Sequence, residues 1–429
     1  MKILTNLIWN IGGVVLSKAI TPIFTIIIAR YLTPESFGSF SLAFLIITST
    51  DFVKDLGLTE SIIVSRSKNI QEMINAQFTT QLAISLVVYL LIILLSPLLL
   101  AIFNDPVAIE LLPILGLVLF IRSFNEPGLT GILKEENYKI LFFRSLVPAV
   151  INGSTTVLFL ITGFEEKSLV IGLLSGEVSL GFFLFLFGRY RPSISTNWNQ
   201  LKELIKFGKY IVIQRFSTGF ILSKFDSFAL ATFGSAVQLG YYKMAQNLSV
   251  QLPRNILREA SIVFYTDASS NSKQENLNNS YRLNLIASFG LMFLCVCSFF
   301  LADWLVPVVL GKHWVEATNL IKVFLGILPL ILLKNLQVNL SKVLGFVKKY
   351  TSLLIVYSLF FLITIGFVSQ QSSLMVAFVY VMLDYAFTIA STILFYHHQK
   401  EVKFSVLEFL FMILIGVFIL ISYLTINLY

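Results

Sequence analysis

With 56% hydrophobic but only 13% charged residues, this 429-residue chain has too little polar surface to enclose a soluble core. Soluble domains carry about 25% charged residues, and the mean hydropathy here is +0.84. The net charge of +8 comes from Lys and Arg placed between apolar blocks, which favours a basic membrane face over a nucleic-acid surface.

The apolar blocks are each about 20 residues long, the length a helix needs to cross roughly 30 Å of hydrocarbon. In chain order they predict spans at Leu7–Ala29, Phe37–Leu58, Phe78–Phe103, Ile109–Gly131, Ile140–Gly163 and Leu169–Gly188. After a polar stretch come Tyr210–Phe233, Leu239–Tyr265, Leu283–Leu310, Thr318–Leu340, Tyr350–Val368, Ser373–Tyr396 and Phe404–Ile426. The expected fold is an all-α, polytopic bundle of 12–14 spans, thirteen by this reading. The first apolar block is too long for a cleavable signal and lacks an A-x-A exit, so it is expected to remain as a span.

Orientation follows from Lys and Arg in alternate connections. Seventeen fall on one side, from Lys2, Arg66 and Lys68 through Lys134, Lys139, Arg189 and Arg191 to Lys400 and Lys403. Three fall on the other: Arg30, Lys167 and Lys312. The bias predicts a cytoplasmic N-terminus, and it holds only if the polar eighth span is counted.

The polar stretch 189–209 contains a cap-like Asn197-Trp-Asn-Gln200 followed by Trp198, Leu201, Leu204 and Ile205 on one helical face. It reads as an interfacial helix or as the start of span seven. The expected division is 1–188, a linker 189–209, a second lobe 210–396, and an extra span in 397–429. The halves also resemble each other. Ala29–Phe40 aligns without gaps on Ala231–Tyr242, pairing Gly38 with Gly240, and Ser96–Leu99 falls near Ala302–Leu305. An even number of spans separates the copies, so the expected repeat axis runs along the membrane normal.

Catalytic chemistry finds little support. Cys295 and Cys297 lie inside an apolar run and read as packing residues, while His313, His397 and His398 are loop residues without HExxH spacing. Gly12-Gly13 reads as close helix packing, and Pro22, Pro113, Pro127, Pro148, Pro253 and Pro329 as kink sites. No metal, cofactor or nucleic acid is expected, and no loop is large enough for an external catalytic domain.

Charges inside spans are more informative, because each costs about 2.5–3.5 kcal/mol at the bilayer centre. Lys18, Lys54, Arg215, Lys224, Lys243, Arg254 and Arg258 are candidate cationic cavity residues, suited to a phosphate or pyrophosphate. Asp51, Asp55, Asp226, Glu126, Glu177 and Asp384 are candidates for proton or sodium coupling. Their density in spans one, two, seven and eight predicts a hydrated cavity between lobes. Two plainer readings stand beside it: Arg254, Arg258 and Glu259 as snorkelling residues, and Asp51, Lys54 and Asp55 as an internal salt-bridge set.

Ala29-Arg-Tyr-Leu-Thr-Pro-Glu-Ser-Phe-Gly38 with Asp55-Leu-Gly-Leu58, and later Gly311-Lys-His-Trp314, resemble segments of the polysaccharide-transporter family of Wzx-type oligosaccharide flippases. The resemblance implies a two-lobed, MATE-like fold of the multidrug/oligosaccharidyl-lipid/polysaccharide exporter superfamily. It further implies O-antigen or similar polysaccharide biosynthesis in a bacterial cytoplasmic (inner) membrane. The implied cargo is an undecaprenyl-pyrophosphate-linked oligosaccharide, with membrane lipids, a polymerase and a chain-length regulator as implied partners. Rival readings are a cation-coupled drug antiporter, a lipid II flippase, and a membrane glycosyltransferase or polymerase.

Overall fold

The computed structural model describes residues 20–55, 57–64, 69–134, 138–188, 191–194, 216–255, 257, 275–343, 346–398 and 406–428. Every regular element among them is a helix. The first elements are α1 (Ile20–Tyr31), α2 (Pro34–Thr48), α3 (Asp51–Asp55), α4 (Leu58–Val64) and α5 (Ile70–Leu94). Next come α6 (Ser96–Phe103), α7 (Pro106–Leu115), α8 (Leu117–Lys134), α9 (Tyr138–Ile161) and α10 (Glu165–Phe187). A π-helical turn at Phe216–Ile221 leads into α11 (Leu222–Phe233) and then α12 (Ala236–Gln246). The chain ends with α13 (Glu275–Val309), α14 (Ala317–Leu325), α15 (Leu328–Val343), α16 (Val347–Val368), α17 (Ser373–His398) and α18 (Val406–Leu428).

Each expected span coincides with helix over at least part of its length. Among the described residues, seven helices are long and apolar enough to cross a membrane, and a bent pair makes an eighth. Phe300 and Phe367, each 75% exposed on such helices, would be costly in water; each large apolar side chain moved out of it is worth about 1.5–3 kcal/mol. The protein is a multi-pass membrane protein.

The second, third, fourth and tenth predicted spans are each divided between successive α-helices: α2 and α3, α5 and α6, α7 and α8, and α14 and α15. In the second, Ser49 and Thr50 hydroxyls donate back to the carbonyls of Leu45 (2.6 Å) and Ile47 (2.7 Å). Such bonds compete with the helical ladder, so α2 stops at Thr48 and α3 starts afresh. The Lys224 ammonium donates to the Thr48 carbonyl, satisfying one of the acceptors that a helix C-terminus exposes. Gly57, with φ of 69°, separates α3 from α4. In the tenth span α14 and α15 meet at a 40° bend. Pro329 occupies the first turn of α15, where its missing N–H costs nothing.

Compactness divides the chain into two units, 1–240 and 241–429. The boundary falls beyond the expected linker 189–209, of which the structure describes 191–194. Inside the first unit, α10 is held against α9 by the spacing Gly172-x-x-x-Gly176. A Cβ at Gly172 would lie 1.8 Å from Thr156 Oγ1, and one at Gly176 would lie 2.9 Å from Asn152 Cβ. In a membrane, close approach of this kind supplies the packing attraction that water would otherwise drive. Gly153 leaves room for the Phe24 ring of α1, whose nearest atom is 2.1 Å from the position of a Cβ.

The two glycines paired by the internal alignment touch each other's helices reciprocally. A Cβ on Gly38 would sit 1.8 Å from the Ala236 carbonyl oxygen, and one on Gly240 would sit 1.9 Å from that of Pro34. Pro34 and Ala236 are themselves equivalent under the same alignment, so the contact is self-complementary, as at a two-fold axis. This geometry agrees with the repeat read from sequence.

In the second unit, Gly311 (φ 107°) opens a tight turn, Lys312–Trp314, in a backbone region that only glycine enters readily. The turn buries Trp314 completely, with the Tyr241 ring edge-on at 6.0 Å. Cys295 donates to the Leu325 carbonyl at 3.1 Å, which fits its reading as a packing residue.

Candidate functional site

A cavity of about 480 Å³ opens within the first unit, lined mainly by α8, α9 and α10, with Thr21 from α1. Its polar lining includes Arg122, Asn125, Glu126, Arg144, Ser145, Asn152 and Glu177. Pro148 and Ala149 of α9 and Gly176 of α10 also line it.

The charges are layered. Arg122 Nε donates to Glu177 Oε1 at 2.7 Å, and an Arg122 terminal nitrogen lies 3.7 Å from Asp51 Oδ2. Asn125 donates to the Glu177 backbone carbonyl (2.9 Å) and to Glu177 Oε2 (3.3 Å), so both carboxylate oxygens are held. Lys54 is only 4% exposed, and its ammonium has no hydrogen-bond partner among the described residues. It lies in the attractive field of Glu126, Asp51 and Glu177, opposed by Arg122. For Arg122, whose two carboxylates lie within 4 Å, charges about 4 Å apart interact by roughly 4 kcal/mol at an effective dielectric near 20, enough to offset the insertion cost of a charge.

Arg144 differs from Arg122. It faces the same cavity yet makes no hydrogen bond or ion pair with any described residue; Glu126 is the carboxylate whose field reaches it.

The other predicted residues are placed as follows. Lys224 caps α2 at Thr48, and Asp226 is fully buried, its Oδ1 3.5 Å from the Ser227 hydroxyl. Lys243 donates to Gln246 Oε1 at 2.7 Å. Lys18, Arg215 and Arg258 lie outside the described residues, as does the Asp55 side chain. This cavity is dominated by spans four, five and six, not by the charge-dense spans one, two, seven and eight. Of the sequence-predicted residues, Glu126 and Glu177 line it, and Asp51 and Lys54 are coupled to that lining electrostatically.

In the second unit Asp384 is buried in a cluster with Lys334 and Tyr357, its Oδ2 without a hydrogen bond among the described residues. Its Oδ1 accepts from Lys334 and, at 3.3 Å, from the Tyr357 hydroxyl. Lys334 lies 5.5 Å from the centre of the Phe387 ring, and Arg254 reaches the Tyr380 hydroxyl at 3.5 Å.

Arg122, Arg144 and Lys334 escaped the sequence reading, which weighted the charge-dense first two spans of each half. The signal was present: Arg122 and Arg144 are each the lone cation inside an apolar block, Lys334 shares its block with Lys322, and Arg122 stands four residues before Glu126 on one helical face.

A family described as polysaccharide biosynthesis protein matches residues 27–319. The chain belongs to that family. Among relatives, the succinoglycan biosynthesis transport protein ExoT of Rhizobium meliloti (strain 1021) is 24% identical over 223 residues, covering 51% of this chain and 43% of the relative. The lipopolysaccharide biosynthesis protein WzxC of Escherichia coli (strain K12) is 21% identical over 299 residues, covering 67% of this chain and 59% of the relative. The chain thus spans about half the length of the curated relatives it matches. Among solved structures, the lipid II flippase MurJ in an inward closed conformation superposes with a TM-score of 0.67, at 16% identity and 97% coverage of both chains. An inward-facing multidrug resistance MATE family transporter of the MOP superfamily gives 0.61, at 14% identity, covering 90% of this chain and 96% of that one. The fold is that of these transporters, as the resemblance implied, and residues 29–38 of the opening motif fall inside the family match.

Proposed function

We propose that the protein is a flippase that moves an undecaprenyl-pyrophosphate-linked oligosaccharide from the cytoplasmic to the outer leaflet of a bacterial cytoplasmic membrane. The observation that carries the reading is the match to a polysaccharide-biosynthesis family over residues 27–319 on a transporter fold. The physics suits the task. Each unpartnered sugar hydroxyl taken into hydrocarbon costs about 4–8 kcal/mol on a water-to-cyclohexane scale. A polar cavity inside an apolar bundle removes that cost while the polyprenyl tail stays in lipid. Lobes at 1–188 and 210–396, a linker at 189–209, an extra span in 397–429 and a cytoplasmic N-terminus complete the scheme, and alternating access moves the head group. A polysaccharide polymerase and a chain-length regulator are the proposed partners downstream.

The seven cations Lys18, Lys54, Arg215, Lys224, Lys243, Arg254 and Arg258 are the proposed contacts for the pyrophosphate. Proton or sodium coupling is assigned first to Glu126, because it lines the cavity and influences both Lys54 and Arg144. Reconstitution into vesicles with a fluorescent lipid-linked oligosaccharide tests the reading. Protein-dependent loss of half the inner-leaflet signal to a membrane-impermeant quencher is expected. Equal behaviour of protein-free vesicles would refute it, and indifference to imposed proton and sodium gradients would remove the coupling assignment.

A further inference from the structure

The charge arrangement of the first unit's cavity is unsuited to a pyrophosphate. Arg122 is already committed to Glu177 and Asp51, and the oxygens of Glu126 and Glu177 would repel a multiply charged phosphate at short range. Among the described residues that line the cavity, one guanidinium, that of Arg144, is uncommitted, across from carboxylate acceptors; the Lys54 ammonium also lacks a hydrogen bond but is not part of that lining. Asn152 adds amide donors: its Oδ1 accepts from Thr156 at 3.3 Å, and no described residue accepts from its nitrogen. A group with a single negative charge and several hydroxyl donors matches this set. Hydroxyls donate to carboxylates, and a carboxylate takes the planar fork of an arginine in two parallel bonds.

Size and shape agree. The volume of about 480 Å³ falls in the range of roughly 300–1,000 Å³ typical of small-molecule sites. Leu129, Leu173 and Leu180 supply apolar wall for the C–H face of a sugar ring. Among the described residues the field of Glu126 offsets the desolvation of this partly buried guanidinium without an ion pair to complete it, and a bound carboxylate would supply that pair.

We propose that this cavity is a subsite for one acidic sugar of the cargo, a hexuronate-like ring whose carboxylate pairs with Arg144 and whose hydroxyls bond to Glu126 and Asn152. The inference rests on the oligosaccharide reading above and narrows it: the cargo carries a carboxylated sugar, and the first unit recognises it separately from the pyrophosphate.

The test is calorimetric titration of the purified full-length protein in detergent with D-glucuronate, D-glucose and inorganic pyrophosphate. Glucuronate is expected to bind, glucose and pyrophosphate to bind at least about tenfold more weakly, and Arg144→Gln to lose at least about tenfold of the glucuronate affinity. Arg144→Lys should retain part of it. Should Arg144→Gln fail to give monodisperse protein, Asn152→Ala and the ranking of the three ligands on the wild type decide the matter. No glucuronate binding at tens of millimolar, or pyrophosphate binding as tightly, overturns the subsite. The flippase reading is judged apart from this: vesicles that flip a neutral lipid-linked oligosaccharide while the protein ignores glucuronate would leave the flippase standing and the subsite refuted. Glucuronate binding without any flipping would do the reverse.

Discussion

The two units each bury a cation–carboxylate group, but they finish it differently. In the second unit Lys334 and the Tyr357 hydroxyl both donate to Asp384 Oδ1, with the Phe387 ring beside Lys334, while Asp384 Oδ2 has no hydrogen bond among the described residues. In the first unit, Arg122, Glu177 and Asp51 form a comparable pair and a half. They stand at the wall of a cavity, beside a lysine without a hydrogen bond and an arginine without an ion pair. A cluster paired within the chain fixes helices; an open one leaves charge for something that comes and goes. On the proposed function, this difference would give positioning to the second unit's cluster and ligand handling to the first's.

The largest effect expected from breaking that comparison is at Lys334. Lys334→Met strands a buried Asp384, and losing one partner of a buried pair costs about 3–5 kcal/mol. Thermal unfolding in detergent should show a large drop, and the double variant Lys334→Met/Asp384→Leu should recover most of it. A single variant as stable as wild type would end the structural reading of this cluster. Arg122→Met should cost less, about 1–3 kcal/mol, because Asn125 still donates to Glu177. The same melting experiment ranks the two.

Arg144→Gln should shift stability by under about 1 kcal/mol, since no native bond is lost, while transport falls severely. A melt and a vesicle assay on one preparation check both halves. Smallest of all is Lys167→Gln. Its partner Glu110 lies 3.0 Å away but both are exposed, with side chains 47% and 67% accessible, and screened surface pairs contribute little. Neither stability nor transport should change measurably.

Helix placement was legible because the apolar blocks match the thickness of a bilayer, and each coincides with helix over at least part of its described length. The Gly38/Gly240 equivalence was legible as an alignment, although the carbonyl contacts that explain it required the fold. The break after Thr48 was hidden: Thr48, Ser49 and Thr50 scarcely lower the hydropathy of the block, yet their hydroxyls compete for its carbonyls. The site was only half legible. Glu126 and Glu177 were found as intramembrane acids, but Arg122 and Glu177 are 55 residues apart in sequence, and no helical periodicity connects them. Asp384 was likewise found as an intramembrane acid, but its partner Lys334, 50 residues earlier, was not. Pairing between helices is a property of packing, and single-sequence spacing does not encode it.

The central claim is that the open cluster of the first unit carries the transported head group. It is tested most directly by flipping of a lipid-linked oligosaccharide in vesicles containing wild-type protein, Arg144→Gln or the Lys334→Met/Asp384→Leu pair. The account predicts that the double variant flips at close to the wild-type rate and that Arg144→Gln barely exceeds protein-free vesicles. Normal flipping by a folded Arg144→Gln protein, with loss in the folded double variant, would contradict it.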